Sequence, residues 1–393
     1  MSQLLNERWS ETKEALLEGL SGNRRASMQV CLENTRRYLA EAATAGATSA
    51  GNVATLNRVI LPVIRRVMPT VIANEIIGVQ PMTGPVGQIH TLRVRYADSS
   101  SGDNIVAGEE ALSPFKIAAA YSGNNVDATP KAAATSVLEG TPGKRMSIQI
   151  LKAPVEAKSR KLSARWTFEA AQDAQAQQGI DIEAEIMAAL AQEITVEIDQ
   201  EILASLRGLA SVEQSYDQSL VSGTATFVGD EHAALAIQIN RVSNLIAQRT
   251  RRGAGNWAVV SNQALTILQS ATTSAFARTT EGSFEAPTNT KFVGTLNGAM
   301  KIFVDSYLAD NIDNNQVLIG YKGTSEADAP AFYCPYIPLM SSGVVLDPAT
   351  FEPVVGFLTR YGYVELSNTA SSLGNAADYL GKVAIVSANV SFK

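Results

Sequence analysis

The sequence predicts an α+β fold, and three features of the 393-residue chain carry that prediction. Ile182, Ile186, Leu190, Ile194, Ile198 and Ile202 recur at every fourth position, the spacing of a long amphipathic helix. Residues 82–165 are instead rich in Thr, Ser, Gly and Pro, and they contain apolar-polar alternations such as Ile89 to Tyr96 and Met146 to Leu151 that read as strands. Beyond the helix, helical and extended segments interleave, the pattern of a mixed domain with a sheet.

Taken in order, residues 1–41 form a separate unit by composition, with six basic and six acidic residues and no proline. Leu5, Trp9, Leu16 and Leu20 fall at helical spacing, and Met28, Cys31, Leu32 and Leu39 repeat the pattern after a break at Ser21-Gly22-Asn23. Two amphipathic helices follow, with polar faces too mixed for a membrane anchor. Residues 42–54 are small, uncharged and glycine-bearing, the composition of a linker. Residues 82–165 read as a long two-stranded arm with a poorly ordered tip near Ala118 to Gly143. The helical stripe predicts about 28 residues and roughly 40 Å of helix, from a cap at Asp181 to a stop at Gly208. Further helices are expected at Leu235 to Gln248 and Asn262 to Ala271, with strands at Trp257 to Val260, Lys301 to Val304 and Val317 to Gly320. Extended segments at Phe357 to Leu366 and Lys382 to Phe392 would close a sheet against the long helix.

Composition bounds the function. With 46% hydrophobic residues the chain can build two or three cored domains. No uncharged apolar run reaches membrane length, and the charged N-terminus MSQLLNERWSETKE is unlike a signal peptide, so the chain is expected to stay in the cytoplasm where it is made. Cys31 and Cys334 supply no disulfide framework and read as ordinary buried thiols. A net charge of −6 argues against a dedicated nucleic-acid binder.

Charge segregates along the chain. Residues 85–165 hold eleven basic and seven acidic residues, whereas 166–217 hold eleven acidic residues and the single basic Arg207. Either these are two solvated faces, or Arg160, Lys161 and Arg165 of one copy meet Glu183, Glu193, Glu197 and Glu201 of a neighbour and set its register.

Catalytic constellations are lacking. His90 and His232 form no metal-ligand spacing, no Cys-x-x-Cys or Walker-type phosphate loop occurs, and Gly253-Ala254-Gly255 lacks a dinucleotide fingerprint. Ser10-Glu11-Thr12-Lys13 and Ser113-Pro114-Phe115-Lys116 match an S-x-x-K spacing without its companion motifs. No catalytic residue, metal site or cofactor is therefore assigned.

Residues 55–98, TLNRVILPVIRRVMPTVIANEIIGVQPMTGPVGQIHTLRVRYAD, resemble the start of the mature major capsid protein of T-even-like tailed bacteriophages. Matching phrases recur in family order at 155–186, at IGYKGTSEADAPAFYCPYIPL (319–339) and at GFLTRYGYV (356–364). The resemblance implies the Hong Kong 97-type fold: a propeptide-like region 1–41, an N-arm 42–80, an E-loop 82–165, a peripheral domain from 166–224 and 346–393 with spine helix 181–208, and an axial domain 225–345. It implies a homo-oligomer of hexameric and possible pentameric capsomers in a virion shell around double-stranded DNA, with vertex, portal, scaffold, protease and decoration proteins as further partners. A surface insertion domain has little room here. The family's maturation protease cuts after Glu in Leu-x-Glu or Ile-x-Glu, which points to Glu41-Ala42, since Leu5-Asn6-Glu7, Leu16-Leu17-Glu18 and Leu39-Ala40-Glu41 are the matches and no later Glu fits. Arg58, Arg65 and Arg66, in an acid-free run, would face packaged DNA or pair with neighbouring subunits.

Two other classes stay open on sequence alone. An encapsulin-type cellular compartment would use the same fold without a removable N-terminal unit, and a cytosolic hydrolase would assemble a triad from distant residues.

Overall fold

The computed structural model describes residues 9–10, 13–44, 71–100, 105–109, 111, 121–123, 132–140, 142–179, 181–217, 228–250, 252–270, 276–278, 291–308, 316–326, 328–350, 352–366 and 375–386. In chain order the elements are α1 (Gly22–Thr44), α2 (Ala73–Ile76), β1 (Gly78–Val79), β2 (Val86–Tyr96), α3 (Thr135–Leu138), β3 (Met146–Glu156), β4 (Lys158–Arg165), α4 (Phe168–Gln178), α5 (Ile182–Leu209) and β5 (Val212–Tyr216). They continue as α6 (Val228–Thr250), β6 (Trp257–Val260), α7 (Asn262–Ser270), β7 (Phe276–Arg278), β8 (Lys291–Leu296), β9 (Met300–Val304), β10 (Gln316–Gly320), β11 (Ala331–Leu346), β12 (Pro353–Glu365) and β13 (Leu380–Ile385). The fold is α+β.

The spine is α5, 28 residues long. Asp181 caps it by accepting from the backbone N–H groups of Glu183 and Ala184 at 3.1 and 3.5 Å, which satisfies donors that a helix start leaves unpaired. Leu190, Ile194, Ile198 and Ile202 of the predicted stripe are buried, whereas Ile182 and Ile186 are half-buried at the outer end. The helix does not stop at Gly208. It runs on to Leu209 and ends at Ala210 with extended backbone, because the chain passes directly into β5 and needs no left-handed turn. The ammonium of Lys382 satisfies the last-turn carbonyl of Arg207 at 3.1 Å.

A seven-stranded sheet, ordered β5-β13-β10-β6-β9-β8-β7, lies against the spine. Its strands alternate sides. Trp257, Val259, Phe303, Leu318 and Leu380 join the core around α5, while Ala258, Val260, Ile302, Val317, Ile319 and Val383 join a second core under α6 and α7. Both faces are thus covered, and β6 is buried at all four positions, as expected of a strand between two layers. A four-stranded sheet, ordered β1-β11-β12-β4, packs on the spine through Tyr333, Val355, Phe357 and Tyr361.

Strands β2 and β3 make a separate antiparallel ribbon, paired without a break from Val86↔Glu156 to Tyr96↔Met146. At its far end Tyr96, Ile105, Ala111 and Tyr121 form a small core of their own. Of the expected poorly ordered tip, 118–143, residues 118–120, 124–131 and 141 fall outside the described residues, and the described part includes the short helix α3.

Four expected boundaries move. The arm ends at Glu156, because β4 leaves the ribbon and pairs with β12 from Lys158↔Tyr361 to Arg165↔Val354. The division at 345/346 is displaced, since β11 enters the four-stranded sheet at Ala331. Conversely, β13 does not close a sheet over the spine with β12; it inserts between β5 and β10 of the seven-stranded sheet, with residues 387–393 outside the described part. Finally, the N-terminal helices do not stand apart as a unit. Leu16, Leu17, Met28, Cys31 and Leu32 are buried in the same core as the spine, because the apolar face of α1 is covered by β11 and the segment around α2. The inner end of the expected N-arm, Val71 to Val79, is likewise core, with β1 pairing parallel to β11.

Candidate assembly surfaces

The ribbon's two faces differ in chemistry. Directly opposed residues of an antiparallel pair share a face, so Met146 and Ile148 lie with Tyr96 and Val94, and Ile150 continues their row, while Ser147 lies with Arg95 and Gln149 continues that one. Met146, Ile148 and Ile150 are 52%, 68% and 61% exposed. In the single chain this apolar row is uncovered. The root of the ribbon is anchored by Val155 and Met82, which pack with Phe332 and Cys334 of β11. Gly362 of β12 makes this possible, because a Cβ there would lie 2.4 Å from Cγ1 of Val155.

The charged residues expected to meet across copies are arranged otherwise. On β4, Arg160, Leu162 and Ala164 turn toward the body while Ser159, Lys161, Ser163 and Arg165 turn outward, as the burial alternation shows. Arg160 donates to Glu197 at 2.6 Å, to Glu201, and to the Tyr361 hydroxyl at 2.6 Å. Tyr361 in turn donates to Glu201 at 2.5 Å. The expected pairing of Arg160 with Glu197 and Glu201 is therefore made within one chain, because β4 sits beside α5. Burial works against charge at Arg160, but the hydrogen bonds from it to Glu201 and Tyr361 outweigh that and raise its pKa. At Glu201 burial likewise opposes charge, and the hydrogen bonds it accepts from Arg160 and Tyr361 outweigh that and lower its pKa. Arg165 is 3.9 Å from Glu352 of the same chain. Lys161 and Glu193 are exposed, and Glu183 is half-buried in the first turn of α5.

Other polar anchors had no sequence signal. Arg207 reaches Asp305 at 2.5 Å, with side chains 11% and 0% exposed, and Gln200 donates to the other Asp305 oxygen at 2.9 Å. This ties the spine to the end of β9. Asp199, 1% exposed, accepts from the backbone N–H of Ile72 at 2.9 Å, while its second oxygen has no hydrogen-bond partner. Burial above all raises its pKa to about 7.

Glu41 and Ala42 lie inside α1, three and two residues before its last residue, Thr44. Leu16 and Leu17 of the Glu18 match are buried. The Glu7 match and Arg58, Arg65 and Arg66 lie outside the described residues. Cys31 and Cys334 are buried and free, and burial pushes both thiols up to about 12. Among the described residues no group of three or more His, Cys, Asp or Glu could hold a metal ion, and no helix is long and apolar enough to cross a membrane. His232 Nδ1 lies 2.6 Å from the Ser270 hydroxyl, and His90 is exposed on β2.

The family model for major capsid protein Gp23 matches residues 53–385. The major capsid protein of Vibrio phage KVP40 is 30% identical, covering 83% of this chain and 80% of that protein. That of Enterobacteria phage T4 is 29% identical, covering 83% and 78%. Among solved structures, the capsid of Myoviridae phage XM1 aligns with a TM-score of 0.42 at 10% identity, over 78% of this chain and 88% of that one. Since the family model spans the ribbon, the spine and both sheets, the chain belongs to the Gp23 major capsid protein family.

Proposed function

We propose that this chain is the repeating brick of a tailed-phage head, of Hong Kong 97 type, assembling through capsomers into a shell that encloses the double-stranded genome. The observation that carries the reading is the uncovered row Met146, Ile148 and Ile150 on a ribbon rooted in the body of a family member. Laid on a neighbouring copy, each such ribbon removes apolar surface from water, and a closed ring repeats the contact at every subunit. The outward residues Lys161 and Arg165 of β4, with Glu193 of the spine, are proposed rim contacts that tune register rather than strength. The chain's work is assembly, not catalysis. Portal, vertex, scaffold and protease proteins are the partners that such a shell requires, and Arg58, Arg65 and Arg66 are proposed to face the packaged DNA.

Processing is proposed at Glu41-Ala42. A protease reads extended chain, so Leu39-Ala40-Glu41 becomes a substrate only when the last turns of α1 unwind.

The test is assembly of purified protein followed by electron microscopy and sedimentation. Wild type should form rings or shells, whereas Ile148→Asp with Ile150→Asp should remain small, with a melting temperature within about 2 °C of the unassembled wild-type subunit, because exposed positions contribute little to folding. Shells from the double variant would overturn the role given to the ribbon.

A further inference from the structure

We infer that residues 71–77 are a proton-gated flap: while Asp199 of the spine carries a proton the flap stays locked on the body, and loss of that proton to water frees it to swing about Gly78. The flap is the inner end of the expected N-arm, leading through α2 into β1. Val71, Ile72, Ala73, Ile76 and Ile77 are 0–3% exposed and pack in the core around the spine. Apolar contact therefore closes it, and the question is what works against closure.

Asp199 does. It lies among Ile198, Ile202 and Leu203 on the buried side of α5, and one of its oxygens accepts from the Ile72 N–H at 2.9 Å. The other oxygen has no hydrogen-bond partner. The titratable groups facing it are Asp305 at the end of β9 and Tyr333 of β11, neither of which supplies a positive charge. Arg207 and Gln200 are engaged with Asp305, at 2.5 and 2.9 Å. A carboxylate at this place would be a second negative charge beside Asp305, out of water and held by a single N–H, whereas the neutral acid escapes that penalty. Ionisation thus favours any motion that brings water to Asp199.

The contacts decide which motion that is. Beyond Ile77 the chain is fixed: β1 pairs with β11, and Gln80 and Met82 continue the ladder by donating to the carbonyls of Tyr333 and Pro335 at 3.0 Å each. The Asn34 side-chain amide completes it by donating to Met82 O at 2.7 Å. Before Gly78, by contrast, the polar ties lie at the surface. Glu75 meets Lys301 of β9 at 2.9 Å and Arg24 of α1, and the Lys322 ammonium donates to Asn74 O at 2.9 Å. Lys301 is 53% exposed, so its pair with Glu75 is screened and adds little. The pivot accordingly falls between the flap and the strand, and the buried carboxyl is the gate.

The test is hydrogen exchange of the full chain, read by mass spectrometry on peptides covering 71–77 and corrected for the intrinsic rate. An open flap returns Asp199 from about 7 to its ordinary 3.8. Protection should therefore fall about fiftyfold between about pH 5 and 7 and less than about threefold from about pH 7 to 8. At about pH 7 these amides should also exchange at least about tenfold faster than those of 257–260 in β6, the mark of a local opening. A flat profile, or protection equal to that of β6 at every pH, would overturn the inference.

Asp199→Asn keeps an acceptor for the Ile72 N–H but cannot ionise, so its profile should vary less than about threefold from about pH 5 to 8; a wild-type slope in this variant would remove Asp199 as the gate. Lys301→Gln serves as the check should Asp199→Asn fold poorly. It should lower protection by less than about fivefold, by the same factor at every pH, because an exposed ion pair is not the gate. Loss of the slope in Lys301→Gln would assign the gate to the outer ion pairs and overturn the inference. Wild type and variants are compared in the same state of assembly, so the result does not depend on the ribbon's role in building shells.

Discussion

Asp199 is a carboxyl set where water does not reach it, facing Asp305 at the end of β9 and Tyr333 of β11, with one oxygen held by the Ile72 N–H. Its ordinary value of 3.8 rises to about 7 in the fold. Between those values the folded chain keeps a proton that the unfolded chain has lost. The contribution is therefore fully present below about pH 4 and declines as pH rises to about 7, by something on the order of 4 kcal/mol. Urea unfolding of the nonassembling ribbon variant at pH 4, 5.5 and 7.5 should show this decline, and adding Asp199→Asn should flatten it; an unchanged slope would assign it to other groups. Neighbouring Arg160 and Lys161 make a second contrast. Arg160→Met breaks three hydrogen bonds that are partly open to solvent and should cost about 1–2 kcal/mol of subunit stability, whereas Lys161→Met should change it by less than about 0.5 kcal/mol.

Among the elements, β1 shows why short phrases of the sequence are so particular. A Cβ on Gly78 would lie 2.3 Å from the Glu326 carbonyl oxygen and 2.9 Å from Cδ1 of Phe332. The phrase Gly78-Val79-Gln80-Pro81-Met82 is thus a close approach of two backbones, followed by the ladder that Asn34 completes. Gly78→Ala should lower the denaturation midpoint by an amount equivalent to about 1–3 kcal/mol, the usual cost of forcing atoms into a filled site. Leu32→Ala, which empties a fully buried position of α1, should cost about 2–5 kcal/mol in the intact chain. A change below 0.5 kcal/mol, on the order of surface substitutions, would mean that α1 is only loosely seated.

At the scale of the whole molecule, the spine is the shared wall of two sheets and an N-terminal cover, and the ribbon is the part left without one. Folding and assembly are consequently separable. Substitutions in the spine core should unfold the subunit, and substitutions on the ribbon row should leave it folded but single. Salt discriminates the two accounts of assembly. If apolar burial by the ribbon dominates, assembly between about 0.05 and 0.5 M salt should change by less than about tenfold, since screening acts on exposed charge; light scattering of assembly would read it. A steep fall with salt would restore the electrostatic register between copies that the charge segregation suggested.

What was legible in the sequence was local and periodic. Isoleucines at every fourth position specify a helix with one apolar stripe, Asp181 caps it, and alternation at Met146 to Leu151 specifies a strand with one apolar face. The resemblance of residues 55–98 to a capsid family was legible as well, and the family model bears it out. Tertiary structure alone decided which of these faces are covered. It placed Arg160 against Glu197 and Glu201 of its own chain, carried β13 away from β12 into the other sheet, buried Leu16 to Leu32 beside the spine, and left Met146, Ile148 and Ile150 open. The physical reason is that periodicity follows from the geometry of the backbone within a few residues, whereas the partner of a face is set by chain segments tens to hundreds of positions away, whose meeting depends on topology and not on spacing.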